Sequence, residues 1–374
     1  MKNTSLDESE TMFAPTPDLF SHRNGYGGGG HGSKENGGSL LPRDRLAELL
    51  GLDDMAPVEK ILGAALLTPV AELISNPGKR VRGQLVPLCY RLASDESPPS
   101  IAAMRASRSF ADAVEFIHAA SLIVDDIEDG SSMRRGRPAL HIQYGTPVAL
   151  NAGNWLYFWP YELLKDAGLP ADRLLFLYEH CHRTLLRAHF GQAIDLGVRI
   201  NAIPQTQVAD ACIAAMKLKT GALMGFAAVL GGVVAGASEA GLAVLDEFGR
   251  DLGVSLQMFD DLGNVTGMRE PSKRYEDFIA FRPSWVWACA ANSTQPQEYA
   301  RFGAAVAELP DATRLTAWLE EHDLLARARK AARGHLERAF APIEERFCVN
   351  GGDGNRRAFK ELRELGEEIA TAYE

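Results

Sequence analysis

From Leu40 onward apolar side chains recur at three- and four-residue spacings, and that periodicity restricts the chain to helices. LAELLGL, MAPVEKILGAALL and VAELI show it early. LLARARKAARGHLERAF and AFKELRELGEEIATAYE read as amphipathic surface helices further along. Strand-like alternation is scarce, and β-branched residues do not cluster between turn signals. Asn76-Pro77-Gly78, Ser97-Pro98-Pro99-Ser100, Gly168-Leu169-Pro170 and Ile203-Pro204 punctuate the pattern. An all-α domain over residues 40–374 is expected. Residues 1–39 stand apart, because NGYGGGGHGSKENGGS cannot bury enough apolar area to offset its ordering entropy. A disordered tail is expected there.

The formal net charge is -10, which argues against a nucleic-acid partner. Phosphate ligands stay open, because carboxylates hold them through bridging metal ions. Five cysteines without a CxxC pair fit neither a disulfide framework nor a metal cluster, and suit a reducing cytoplasm. MKNTSLDESE lacks the basic and apolar regions of a signal peptide. Thr220–Ser238 carries no charge and is long enough to span a membrane, but it is mostly Gly and Ala. It reads as a buried helix packed closely on its neighbours, so no membrane span is expected.

In SLIVDDIEDG, Asp125, Asp126 and Asp129 emerge from an apolar helical run beginning at Phe116. Asp125 and Asp129 are i and i+4, so they share a helix face and repel unless a cation lies between them. Hard, oxygen-seeking Mg²⁺ suits that place. A lone DDxxD is more often a solvated helix end, but a second pair follows. In LGVSLQMFDDLGN, Asp260 and Asp261 again close an apolar run, with Asn264 at i+4. Two such pairs facing one cavity would clamp a diphosphate between metal ions.

Cations accompany the acids. NPGKRVRG places Lys79, Arg80 and Arg82 at a helix start, which already favours anions. Arg134 and Arg135 lie just beyond the first acid cluster, either to neutralise it or to bind phosphates. His118 falls on the Asp125 face two turns back.

Taken together, these motifs resemble the trans-isoprenyl diphosphate synthase (polyprenyl synthetase) family, collinearly from about Gly78 to Arg282. The resemblance implies the isoprenoid synthase fold, a single large helical bundle around a central cavity. It implies a homoallylic diphosphate site at Lys79, Arg80, Arg82, His118 and Arg135, with Arg134 on the allylic diphosphate. Gln192 and Asp195 of GQAIDL, Lys219 and Thr220 of KTG, Gln257, and Lys273 match further family positions. The metal set is Asp125, Asp126, Asp129, Asp260, Asp261 and Asn264. It would hold three Mg²⁺ ions with substrate bound, with Mn²⁺ as an alternative. Members are typically homodimers. Two departures stand out: Asn264 replaces a carboxylate of the second motif, and Asn154 stands where many members have Asp.

The implied reaction ionises an allylic diphosphate and joins it to isopentenyl diphosphate, with Asp125, Asp126, Asp129, Lys219, Thr220, Gln257 and Asp260 at its centre. Ala120 and Ser121, one turn before Asp125, are small, so a growing tail passes them and geranylgeranyl diphosphate is the expected product. Phe116, deeper along the helix, would stop it earlier. A class I terpene cyclase-like enzyme and a non-catalytic subunit of a heteromeric synthase share the first motif and remain alternatives.

Overall fold

The structure, a computed structural model, describes residues 41, 43–52, 54–76, 78–94, 96, 99–268 and 273–373. The tail expected over residues 1–39 lies outside the described residues. The described chain is all-α, as the periodicity required. The punctuating residues fall at element ends: Asn76 closes one helix, and Pro170 and Pro204 immediately precede two others.

Contacts divide the chain into two compact units. The first takes the described part of the chain up to Lys79 together with Ala119–Tyr157. It contains α1 (Arg43–Leu50), α2 (Ala56–Leu62) and α3 (Thr68–Ser75), the last two joined through a π-helical turn at Gly63–Leu67. It also holds the end of α5 (Ile101–Glu128), α6 (Leu140–Tyr144) and the start of α7 (Thr146–Lys165). Between α5 and α6 runs a two-residue antiparallel ladder, β1 (Met133–Arg134) on β2 (Arg137–Pro138). Its turn places Arg135 at φ 51° and Gly136 at φ 76°. Both central residues of a type I′ turn need positive φ, which explains the glycine and marks Arg135 as held under strain. Gly153 of α7 lies against Ile123 and Val124 of α5, where a Cβ would come within 3.2 Å of Val124.

The second unit, Arg80–His118 with Phe158–Glu374, contains α4 (Val81–Ala93), α8 (Ala171–Gly197), α9 (Gln205–Met216) and α10 (Ala222–Val234). It continues through α11 (Glu239–Thr266), α12 (Glu276–Ile279), α13 (Trp285–Ser293) and α14 (Pro296–Val306). It ends with α15 (Thr313–Glu321), α16 (Leu324–Phe347) and α17 (Asp353–Thr371). A π-helical turn at Lys217–Gly221 joins α9 to α10. At the middle lies α10, in which every residue from Ala222 to Val233 is buried. It packs on α4, α8 and α11, and α11 packs in turn on α16 and α13. The segment Gln205–Val234 is long and apolar enough to cross a membrane by composition, yet 72% of its most apolar window is buried within the protein.

Glycine sets the contacts of α10. A Cβ at Gly249 would lie 2.5 Å from Met224 O and 2.7 Å from Gly225 Cα. One turn on, a Cβ at Gly253 would lie 2.8 Å from Gly221 Cα and 2.9 Å from Thr220 O. Across the other face, Gly231 meets the backbone of Val86 and Tyr90 in α4. Side chains at these points would push backbone from backbone. Helices this close gain dispersion contacts along their whole seam. Gly249→Ala should therefore cost roughly 1–3 kcal/mol as overpacking, seen as a lower melting temperature. An unchanged melt would mean that the seam yields freely.

Candidate active site

In the first unit α5 ends in the acid cluster. Asp126 is buried at 3% exposure and takes Arg134 Nε on both oxygens, at 2.9 and 3.1 Å, with Nη2 also on Oδ1. Burial works against the Arg134 charge, but the Asp126 bond and the fields of Asp125 and Asp129 outweigh it and raise its pKa. Arg134 thus pairs with the buried member of the cluster. Asp125 and Asp129 remain partly exposed on the same helix. The strained Arg135 turns elsewhere. Its Nη1 donates to Asn76 O at 2.7 Å, and Asn76 Nδ2 returns a bond to Arg135 O at 3.3 Å. The guanidinium lies where a Cβ on Gly78 would be, 3.2 Å away. Two motifs far apart in sequence therefore meet, and the glycine of NPGK makes the room.

In the second unit the start of α4 is fastened to α5 at three successive turns. Arg80, left-handed at φ 50°, pairs with Asp112 at 2.7 Å. Glu115 accepts from Gly83 N at 2.7 Å, which satisfies an orphan donor at the helix start and places a carboxylate at its positive end. Arg82 Nη1 lies 3.3 Å from His118 Nε2. Because arginine only donates, that nitrogen accepts and His118 carries its proton on Nδ1. Arg82 lies in the first turn of α4, while Lys79 precedes the helix.

The same unit assembles α8, the π-turn and α11. Gly191 of GQAIDL lets α8 lie on the π-turn, where a Cβ would be 2.5 Å from Lys219 N. One turn on, Asp195 Oδ2 accepts from Lys219 Nζ at 3.0 Å. The glycine seam sets Thr220 opposite Gln257, with Oγ1 donating to Oε1 at 2.8 Å. Gln257 Nε2 then donates to Asp261 Oδ1 at 2.8 Å, and Trp285 N to Asp261 Oδ2 at 2.6 Å. Asp261 is 4% exposed, whereas Asp260 is exposed. The two acid pairs thus divide alike: the second aspartate is buried and held by protein donors, and the first is presented outward.

Asn264 anchors the following loop. Its Nδ2 donates to Lys273 O at 3.0 Å, and its backbone O accepts from Tyr275 N at 3.1 Å. Its Oδ1 is buried with no partner among the described residues. The loop delivers Asp277, which the sequence reading missed. Asp277 keeps some exposed surface, but its carboxyl sits deep in surrounding protein, and that burial, with the fields of Asp260 and Asp195, pushes it up to about 7. Arg282 pulls the other way. Asp261 is raised well above the ordinary carboxylate range, chiefly by burial and next by Asp277, against its Gln257 and Trp285 bonds. The signal available in the sequence was spacing alone: Asp277 lies four residues beyond Lys273, too far from the acid pair to attract notice.

Among the described residues no three His, Cys, Asp or Glu side chains converge into a ready-made metal centre. Magnesium needs none, because it keeps waters and binds through one or two carboxylates plus substrate phosphates. The crowding of Asp195, Asp260, Asp261 and Asp277, with the orphaned Asn264 oxygen, suits a hard cation. Asp277 binds its proton more tightly folded than unfolded, so without metal stability should fall as pH climbs from about 4 towards 7 and then level off. Asp261 adds to that slope. Asp277→Asn should flatten the melting-temperature profile and raise stability above pH 7; a profile matching the parent's would refute the carboxylate crowding.

Residues 64–319, more than half of the chain, match the sequence profile of the polyprenyl synthetase family. A geranylgeranyl diphosphate synthase from Sulfolobus acidocaldarius is 31% identical over 199 residues, 52% of this chain and 56% of that protein. The chain spans little more than half the length of such curated relatives. The geranylgeranyl pyrophosphate synthase of Corynebacterium glutamicum, solved with isoprenyl diphosphate and magnesium, superposes with TM-score 0.70 at 22% identity. That match covers 88% of this chain and 97% of the other. The geranylgeranyl pyrophosphate synthetase of Pyrococcus horikoshii gives TM-score 0.69 at 22% identity, over 87% and 94%. These likenesses establish the isoprenoid synthase fold. On the profile match, the chain belongs to the polyprenyl synthetase family.

Proposed function

We propose that the protein is a magnesium-dependent trans-prenyltransferase that joins an allylic diphosphate to isopentenyl diphosphate. The observation that carries this reading is the Asp195–Lys219 and Thr220–Gln257–Asp261 network beside the crowded Asp260 and Asp277. It supplies charge and dipoles for a metal-bound leaving group and no nucleophile. Asp125, Asp126, Asp129, Asp260, Asp261 and Asn264 serve the metal ions, with Asp277 added. Three ions with substrate bound are proposed, and Mn²⁺ as a substitute. When bound, the metal supplies electrostatic stabilisation of the departing diphosphate.

The chain's own groups do the rest. Lys219, Lys273 and Arg134 bind the allylic diphosphate. As its C–O bond breaks, the Thr220 and Gln257 dipoles face the allylic cation. Lys79, Arg80, Arg82, His118 and Arg135 hold isopentenyl diphosphate, with Gln192 nearby in the substrate set. The isopentenyl double bond attacks the cation, forming the new C–C bond. The proton lost in restoring a double bond leaves on the diphosphate. The joined Arg82–His118 pair and the Arg135–Asn76–Gly78 clamp favour a synthase over a cyclase, which has no second diphosphate to hold. Asp125→Ala and Asp260→Ala should each lower turnover by at least about 100-fold with folding intact, the scale of lost transition-state stabilisation at such sites. Activity within a few-fold of the parent would remove the metal from the mechanism. A volatile hydrocarbon product would identify a cyclase.

Geranylgeranyl diphosphate is the proposed product, because Ala120 and Ser121, one turn before Asp125, are both small. Ala120→Phe should shorten the product chain by chromatography of the dephosphorylated alcohols. An unchanged spectrum would move the length limit elsewhere, Phe116 being the next candidate on the helix.

We also propose a homodimer. Leu175, Leu186 and Phe190 line one face of α8 and Phe158 of α7 is 71% exposed, an apolar set suited to a second copy. Burial of Gln205–Val234 supports a core helix rather than a membrane span, and five free thiols suit the cytoplasm.

A further inference from the structure

A second cationic group lies on α8 and α11, away from the residues assigned above. His180, Arg183 and Arg187 recur at i, i+3 and i+7 along α8 and so share one face. His180 Nε2 comes within 3.9 Å of Asp246 Oδ1 on α11. Asp246 and Arg250 are one turn apart and form a two-point ion pair, Nε to Oδ1 at 2.9 Å and Nη2 to Oδ2 at 2.5 Å. The floor between these two walls is α10. A Cβ on Gly225 would lie 2.5 Å from Asp246 Oδ1 and 2.9 Å from Arg250 Cγ, so the pair rests directly on the glycine backbone. Beside it Phe226 stacks on His180 with centroids 5.8 Å apart, and Phe176 stacks on His180 at 5.7 Å.

The charge in this crease does not balance. Burial, together with the arginines, lowers the His180 pKa despite Asp246, so the ring is neutral near pH 7. Three guanidinium groups then face one carboxylate. Among the described residues Arg183 and Arg187 neither hydrogen-bond nor pair with an acid, in a chain whose net charge is -10. Burial first, then Arg250 and Arg183, lower the Arg187 pKa against the pull of Asp246, whose carboxylate already pairs with Arg250. Guanidinium forks take phosphate oxygens in pairs. Three forks on two walls suit a group with more oxygens than a monophosphate offers.

We infer that the Arg183–Arg187–Arg250 crease over Gly225 is a further anion site, beside the two diphosphate sites proposed above, and that it binds a diphosphate group. Asp246 orients Arg250 for it, and His180 holds the α8 wall against Phe226. The group arrives either as free inorganic diphosphate or as the head of a prenyl diphosphate.

The test is calorimetric and needs no turnover, so it stands apart from the catalytic reading. The full chain carrying Arg82→Ala and Arg135→Ala, which disables the proposed homoallylic site, is titrated with inorganic diphosphate in EDTA. One binding event is expected. Adding Arg183→Gln and Arg187→Gln should weaken it by about tenfold or more, since two charge-assisted contacts are lost. Restoring the charge with Arg183→Lys and Arg187→Lys should recover part of the affinity, with circular dichroism melts confirming the fold throughout. No binding in the first protein, or equal binding after the Gln substitutions, would overturn the site. Repeating the titration with geranylgeranyl diphosphate separates the sources: tighter binding assigns the site to a prenyl diphosphate, and equal binding to the free anion.

Discussion

The second unit depends on backbone-to-backbone contact between α10 and α11. Gly221, which closes the π-turn, and Gly225 of α10 meet Gly253 and Gly249 of α11, the two contacts one turn apart. Two helices that touch without side chains between them have little freedom to slide, because every neighbouring residue must move with them. The register fixed there carries on for one more turn, and that turn sets Thr220 against Gln257. A packing constraint thereby becomes a functional one. The uncharged, Gly-Ala-rich character of α10 follows from this duty.

That rigid seam supports a strained arrangement of charge. Asp261 is held by two donors but still resists ionisation, and Asp277 resists it too, because each is buried near other carboxylates. Stability alone would favour neutral residues at both places. Their retention makes sense if a cation is present during the working cycle. Burying like charges also ties the site's electrostatics to its occupancy.

The two acidic pairs solve the same problem by the same division. Asp126 and Asp261 face inward, each with its own donors, Arg134 for one and Gln257 with Trp285 N for the other. The inner aspartate fixes the helix end that presents the outer one. Glu115 plays a related part at α4, where it caps the helix beside Arg82. Two carboxylates that are equivalent in a motif are thus divided between holding the backbone and facing outward.

Sequence alone determined the helices, their ends and the acidic and basic motifs, because helical periodicity, proline and glycine stops and i, i+4 charge pairs are local properties. It marked Asn264 as a departure but not as the partner of Lys273 O and Tyr275 N, which approach it only in the folded chain. It noted the arginines after the first acid cluster but not their parting, one to Asp126 and one to Asn76. Asp277 and the arginine crease were illegible for the same reason. What a carboxylate or guanidinium does is set by which other charges and how much protein surround it, and tertiary packing alone decides that.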